Sequence, residues 1–259
     1  MSEPALPLAA AAPRVLLVTG GSRGIGAATA LRAARAGWDV AVNYTRDAAA
    51  AQAVAEGVRA AGRRALVVQA DVAEESEVLA MFAAVDAGLG RLTGLVNNAG
   101  VVDLPARVED MSVARLQRMW AINLTGTFVC AREALRRMSR RHGGPGGAIV
   151  NLSSAAARLG APAQYVDYAA SKGAVDTFTL GLAREVAAEG VRVNAVRPGI
   201  IDTDIHASGG LPDRARQMAP QVPMQRAGSA DEVAAAIVWL LSDDASYTTG
   251  TVVDVTGGR

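Results

Sequence analysis

Cysteine and histidine are almost absent: Cys130, His142 and His206 are the only three in 259 residues. One thiol forbids an intrachain disulfide, and these three side chains cannot furnish an ordinary zinc site. That usage fits a reducing, cytoplasmic setting, and no metal is expected. An excess of one charge is also missing, because 26 Lys and Arg stand against 25 Asp and Glu. Without a basic or acidic surplus there is no footprint for a polyanion, which argues against nucleic acid as a partner. Long apolar runs are missing too. The longest, Val233 to Leu241, is nine residues, about half of the ~20 that a membrane-spanning helix needs. The first thirteen residues, MSEPALPLAAAAP, carry no basic flank and are broken by proline, so they read as a disordered tail rather than a signal peptide. What is present is a 51% hydrophobic and 20% charged composition, enough for a large core in one domain over residues 14–259.

Two periodicities alternate from Arg14 onward. Short, largely β-branched runs occur at Val15–Thr19, Val40–Asn43, Ala65–Gln69, Leu95–Asn97, Ala148–Leu152, Val191–Val196 and Thr251–Val255. Between them lie stretches with helical spacing such as Ala27–Ala36, Ala48–Ala61 and Glu74–Leu89. Strands that are apolar throughout are buried on both faces, as in a parallel sheet covered by helices. The expectation is therefore an α/β fold: a doubly wound, Rossmann-type sheet of seven parallel strands flanked by helices. Ser229-Ala-Asp-Glu232 is a capping box opening a helix that contains Ala234–Leu241. The run from His142 to Gly147 ends a long helix spanning Met111–Arg141. Residues 202–223, with Gly209, Gly210, Pro212, Pro220 and Pro223, lack strand character and read as a lid.

The first strand runs into Thr19-Gly20-Gly21-Ser22-Arg23-Gly24-Ile25-Gly26 and then an Ala-rich helix. Glycines permit a tight turn and close approach of a pyrophosphate, and the helix contributes free N–H groups. The spacing is G-x-x-x-G-x-G rather than strict GxGxxG. Alone, such a turn is equally a structural element; its place at the head of a βαβ series favours nucleotide binding. An acid at the end of the second strand would hold the adenosine ribose, but here the strand ends Asn43-Tyr44-Thr45-Arg46. Asp39 precedes that strand, at the end remote from ribose, and reads as a turn residue. Arg23 and Arg46 flank a 2′-phosphate or else are solvated surface groups. The expected cofactor is NADP(H) in preference to NAD(H).

Tyr168-Ala-Ala-Ser-Lys172 places a phenol and an ammonium one helical turn apart on one face. A nearby cation stabilises phenolate and lowers the phenol pKa from its reference near ~10. Such a tyrosine can protonate a carbonyl oxygen while hydride arrives at carbon. Taken alone, the pair also occurs on plain exposed helix faces. Tyr165 is a decoy, since its i+4 position is Ala169.

With these residues the sequence resembles the short-chain dehydrogenase/reductase family over nearly everything after Arg14. The matching pieces are the glycine turn from Thr19 to Gly26, Asp71-Val72, Asn97 to Gly100, Asn123, Ser154, the Tyr168/Lys172 pair and Pro198-Gly199. It looks most like the bacterial members related to 3-oxoacyl-carrier-protein reductase and glucose 1-dehydrogenase. The resemblance implies an NAD(P)-dependent enzyme acting on a small carbonyl or secondary alcohol. Tyr168 would be the acid/base, Lys172 would hold the nicotinamide ribose, and Ser154 would bond the substrate oxygen. Asn123 would bind a water linking Lys172 to solvent. Asp71 and Val72 would meet adenine, Asn98, Ala99 and Gly100 would line the cofactor, and Ile200 and Thr203 would meet the carboxamide. Ser154 stands fourteen residues before Tyr168 and Ser153 fifteen, against thirteen usual in the family; counting from Asn151 favours Ser154. The resemblance also implies a homotetramer through the long helices and C-terminal contacts.

Other residues read more simply. Cys130 is a small core residue, and His142 beside Arg140 and Arg141 ends a helix. His206, in the lid, reads as solvated. Trp120 and Phe128 mark packing, with a subunit contact as one outlet. The competing class is a dinucleotide-binding regulatory or scaffold protein without turnover; a proton relay of Asn123, Ser154, Tyr168 and Lys172 counts against it.

Overall fold

A computed structural model describes residues 14–205 and 209–259; the expectations for the first thirteen residues and for His206 lie outside the described residues. Seven strands form one parallel sheet: β1 (Arg14–Val18), β2 (Trp38–Tyr44), β3 (Ala65–Gln69), β4 (Gly94–Asn97), β5 (Gly147–Leu152), β6 (Val191–Pro198) and β7 (Val252–Val255). Their spatial order is β3-β2-β1-β4-β5-β6-β7. The chain steps outward from β1 to β3 and then returns to the other side of β1, so the order reverses between β1 and β4. Val18 pairs with Val42 on one side and Val96 on the other.

Alternation along each strand divides the core in two. Val15 and Leu17 point into a cluster with Met81, Phe82, Cys130 and Leu182. Those residues belong to α3 (Glu75–Gly88), α5 (Gly126–Met138) and α7 (Val166–Val186), the single turn α6 (Ala156–Leu159) standing before α7. Leu16 and Val18 point the opposite way, onto Ala30, Val54 and Ile237. These come from α1 (Gly24–Arg35), α2 (Ala48–Ala60) and α9 (Ala230–Leu241). Each fully buried Val or Leu contributes roughly 1.5–3 kcal/mol, which explains why the strand segments carry so few polar residues.

Two expectations change. Asp39 lies inside β2, not ahead of it, and is buried. Its carboxylate meets Arg63 at 2.7 Å and Arg64 at 2.8 Å. Burial works to raise its pKa, but the bonds from Arg64 and the charge of Arg63 outweigh it and hold it below the usual value. The long helix expected over Met111–Arg141 is broken into α4 (Val113–Trp120), a π-turn over Ala121–Thr125, α5, and a 3₁₀ turn at Arg140–His142. Within the lid segment, a short helix α8 (Arg214–Met218) forms. The capping box at Ser229 and Glu232 is present as expected.

Candidate active site

The loops that follow β1, β4, β5 and β6 meet at the carboxyl edge of the sheet, where the strand order reverses. The glycine turn is held there by its neighbours. Gly20 N donates to Asn43 Oδ1 at 3.0 Å, and Gly21 N donates to the Asn43 carbonyl at 2.7 Å. A Cβ on Gly26 would lie 2.4 Å from the Gly20 oxygen and 2.5 Å from Asn98 Nδ2, so only glycine lets α1 start this close to the turn. The Arg23 side chain makes no capping bond at the start of α1, whereas α2, α4 and α9 are capped by Asp47, Ser112 and Ser229. The first N–H groups of α1 thus lack the side-chain acceptor that those helices carry. That is the arrangement a pyrophosphate requires.

Some residues expected at the cofactor face the protein instead. Asn43 is buried, and its amide serves Gly20 and the carbonyls of Val68 and Ala70. Thr19 is also buried; its hydroxyl donates to Val96 O and accepts from Asn98 N and Ala99 N. Asn98 Nδ2 donates to the Thr19 and Gly20 carbonyls. These side chains brace the glycine turn. The physical reason is that Asn43 lies in an interior strand and Thr19 and Asn98 directly follow one, where an unpaired amide or hydroxyl would be costly. Val72 is buried, and the start of α5 is packed so tightly on it that a Cβ on Gly126 would lie 2.8 Å from its side chain. Asp71 lines a depression of about 450 Å³ with Thr45 and Gln69.

A second cavity, about 470 Å³, receives much of the predicted set. Ile25, Asn98, Gly100, Ser154, Tyr168 and Lys172 line it. So do Pro198, Gly199, Ile200 and Thr203 from the loop after β6. Ser22, Arg23 and Arg46 stand outside this cavity, and both arginines are exposed.

Helix α7 carries Tyr168 and Lys172 one turn apart. Lys172 is the only lysine in the chain; the other 25 of its 26 basic residues are arginines. Its ammonium is buried and donates to the Leu152 carbonyl at 2.6 Å, 5.8 Å from the Tyr168 ring centroid. Burial pulls its pKa down to about 8, against the opposing charge of Asp176. Tyr168 departs from expectation. Burial raises its pKa, and the neighbouring Ser154 hydroxyl, which favours the ionised form, does not reverse that. In this state the phenol holds its proton. Both serines line the cavity but differ in partners: Ser154 Oγ accepts from Ala156 N at 3.1 Å beside the phenol, while Ser153 is buried and donates to the Lys172 carbonyl.

Asn123 lies in the π-turn, fully buried. Its Oδ1 accepts from Val101 N at 2.8 Å and its Nδ2 donates to Val101 O at 3.0 Å. The side-chain amide is therefore committed to the Val101 backbone. A Cβ on Gly100 would stand 3.5 Å from both Asn123 Oδ1 and Lys172 Nζ, which places this backbone beside both side chains. The thiol of Cys130 is buried in the core and pushed up to about 12 by that burial.

Several bracing residues escape a reading of the sequence. Asn97 Nδ2 donates to Asn151 Oδ1, and Asn151 Nδ2 donates to Thr179 Oγ1, both at 2.9 Å, locking β4 to β5 and both to α7. Ser171 donates to the Tyr168 carbonyl and accepts from Asn123 Nδ2. Arg115 donates through Nε and Nη2 to the Asp167 carboxylate at 2.7 and 3.2 Å, and through Nη1 to the Leu104 carbonyl at 2.7 Å.

A sheet with this strand order and a Tyr-Lys pair beside a glycine turn defines a nucleotide-dependent oxidoreductase class. Residues 20–259 match a family model described as enoyl-(acyl carrier protein) reductase. The chain is 56% identical over 245 residues to the uncharacterized oxidoreductase YgfF of Escherichia coli, covering 95% of this chain and 99% of that one. It is 39% identical to the 3-oxoacyl-[acyl-carrier-protein] reductase FabG of Staphylococcus aureus, covering 93% and 96% respectively. Among solved structures, a short-chain dehydrogenase from Burkholderia cenocepacia in complex with NADP superposes with a TM-score of 0.86 at 36% identity, over 95% of this chain and 97% of that one. The chain belongs to the short-chain dehydrogenase/reductase family and is an oxidoreductase of that family.

Proposed function

We propose that the protein is an NADP(H)-dependent reductase of a small carbonyl compound, or the corresponding secondary alcohol dehydrogenase in reverse. The observation that carries this reading is the convergence of Ser154, Tyr168 and Lys172 on one cavity at the edge where the glycine turn lies. The turn fits a pyrophosphate because Gly26 admits close approach and α1 begins without a side-chain cap. When bound, the cofactor supplies or accepts hydride at the substrate carbon. Ser154 orients the carbonyl oxygen. Tyr168, kept protonated by burial, donates its proton to that oxygen. Lys172, with a pKa near 8, is suited to return a proton at neutral pH. Asn123 holds the Val101 backbone, next to Gly100, through its N–H and its carbonyl. Residues 202–223 act as the lid over one domain, 14–259. Homotetramer assembly and a cytoplasmic setting belong to the same reading; Trp120 and Phe128 are 44% and 46% exposed on α4 and α5. NADPH oxidation measured across a panel of aldehydes and ketones tests the proposal, and absence of turnover with all of them would refute it.

Two consequences follow from particular residues. Ser154→Ala should lower kcat by about a hundredfold or more, while Ser153→Ala, which alters only a bond to a helix carbonyl, should stay within a few-fold. The reverse ranking in steady-state kinetics would transfer the role to Ser153. For the cofactor, Arg23 and Arg46 are exposed and make no ion pair among the described residues, and Asp47, next to Arg46 in the sequence, caps α2. Arg46→Ala should raise KM for NADPH about tenfold, the value of one charged hydrogen bond, and leave KM for NADH unchanged. Equal efficiency of the wild-type protein with NADH would contradict the preference.

A further inference from the structure

The cavity that receives Tyr168 has an uneven charge. Its charged lining side chains are Lys172, Arg214 and Arg259; no Asp or Glu lines it among the described residues. Most of the remaining lining toward α8 is apolar, including Val102, Leu159, Pro162 and Met218. Arg214, on α8, is partly buried, and its guanidinium carbon stands 5.2 Å from the centre of the Tyr165 ring. It makes no hydrogen bond or ion pair among the described residues, although the neighbouring Asp213 is itself paired, with Arg216 at 2.7 Å. An arginine is rarely held in an apolar cavity without an acid to match it. Its planar donors suit a carboxylate, and stacking on an aromatic ring holds the plane in place. Tyr165 precedes Tyr168 by three residues at the start of α7, a rise of ~4.5 Å.

We infer that Arg214 recognises an anionic group on the substrate, so that the preferred substrate is a carbonyl compound carrying a carboxylate across a short apolar spacer. This inference rests on the reductase reading and narrows it to a substrate class. The apolar lining takes the spacer, Ser154 and Tyr168 take the carbonyl oxygen, and Arg214 takes the carboxylate from the lid side.

The test compares 4-carboxybenzaldehyde with its methyl ester, two aldehydes of one skeleton that differ in charge. The wild-type protein should reduce the acid with a KM about tenfold lower than the ester. Arg214→Ala should remove that preference, leaving the ester and the KM for NADPH within twofold of wild type. Arg214→Lys should restore part of it, and Arg214→Glu should make the acid the poorer substrate. No preference for the acid, an equal loss on both aldehydes, or a raised KM for NADPH in Arg214→Ala would each overturn the inference. Reduction of the ester without preference for the acid would leave the reductase reading standing. If neither aldehyde is reduced, calorimetry of 4-methylbenzoate against 4-methylbenzamide decides: carboxylate binding lost in Arg214→Ala supports the anion site while the reductase reading fails, and no selective binding overturns both.

Discussion

Lys172→Met is expected to abolish measurable turnover and, separately, to flatten the alkaline rise in the protein's stability. The ammonium is buried and its pKa falls from the usual 10.5 to about 8. Below pH 8 both folded and unfolded chains carry this proton, and burial of the charge is a constant cost. Between pH 8 and 10.5 the unfolded chain keeps the proton while the folded chain releases it. Stability therefore rises with pH across that window, by about 3 kcal/mol for a shift of this size. Denaturant unfolding of cofactor-free protein at pH 7.5 and pH 10.5 should show that gain in wild type relative to Lys172→Met. Because Lys172 is the sole lysine, acylation of one side-chain amine followed by mass spectrometry reports its titration directly. A midpoint near 8 is expected; a midpoint near 10.5, or an unchanged kcat in the methionine variant, would contradict the role given to this group.

The ion pair between Arg115 and Asp167 should matter most for folding. The Asp167 side chain is fully shielded and the Arg115 side chain only 11% exposed. The guanidinium also holds the Leu104 carbonyl, so it ties α4, the loop after β4 and the first turn of α7 together. Removing one partner leaves a buried charge unmatched. Arg115→Ala is expected to cost about 3–5 kcal/mol, a fall in Tm of roughly 6–20 °C for a chain of this size. Arg115→Met combined with Asp167→Asn should recover much of the loss, since no uncompensated charge remains. Thermal unfolding of the single and double variants measures this coupling. A single variant within 1 kcal/mol of wild type would show that solvent reaches the carboxylate.

The seven strands were legible because burial on both faces leaves an apolar run that no helix period disguises. Their ends were less so: β2 begins at Trp38 and includes Asp39, whose charge hides the strand until Arg63 and Arg64 are seen to neutralise it. The π-turn at Ala121–Thr125 left no mark in the sequence, since one extra residue per turn changes no residue type. Spacing placed Tyr168 and Lys172 one turn apart on a helix, as α7 has them, but their roles came from the family resemblance; the single lysine was a further signal that counting could have supplied. The braces were not legible. Asn97 with Asn151 and Arg115 with Asp167 join residues 54 and 52 apart, and only the fold brings them together. The upward shift of the Tyr168 pKa likewise depends on burial, which the spacing of a phenol and an amine does not report.

The role of the phenol is tested most directly by NADPH oxidation with an accepted aldehyde, wild type against Tyr168→Phe, with NADPH affinity measured on both. The change removes one oxygen atom from the cavity and leaves the ring in place. NADPH affinity should stay within about threefold while kcat falls by about 10²–10⁴. A phenylalanine variant that turns over within tenfold of wild type would show that the carbonyl takes its proton from another group.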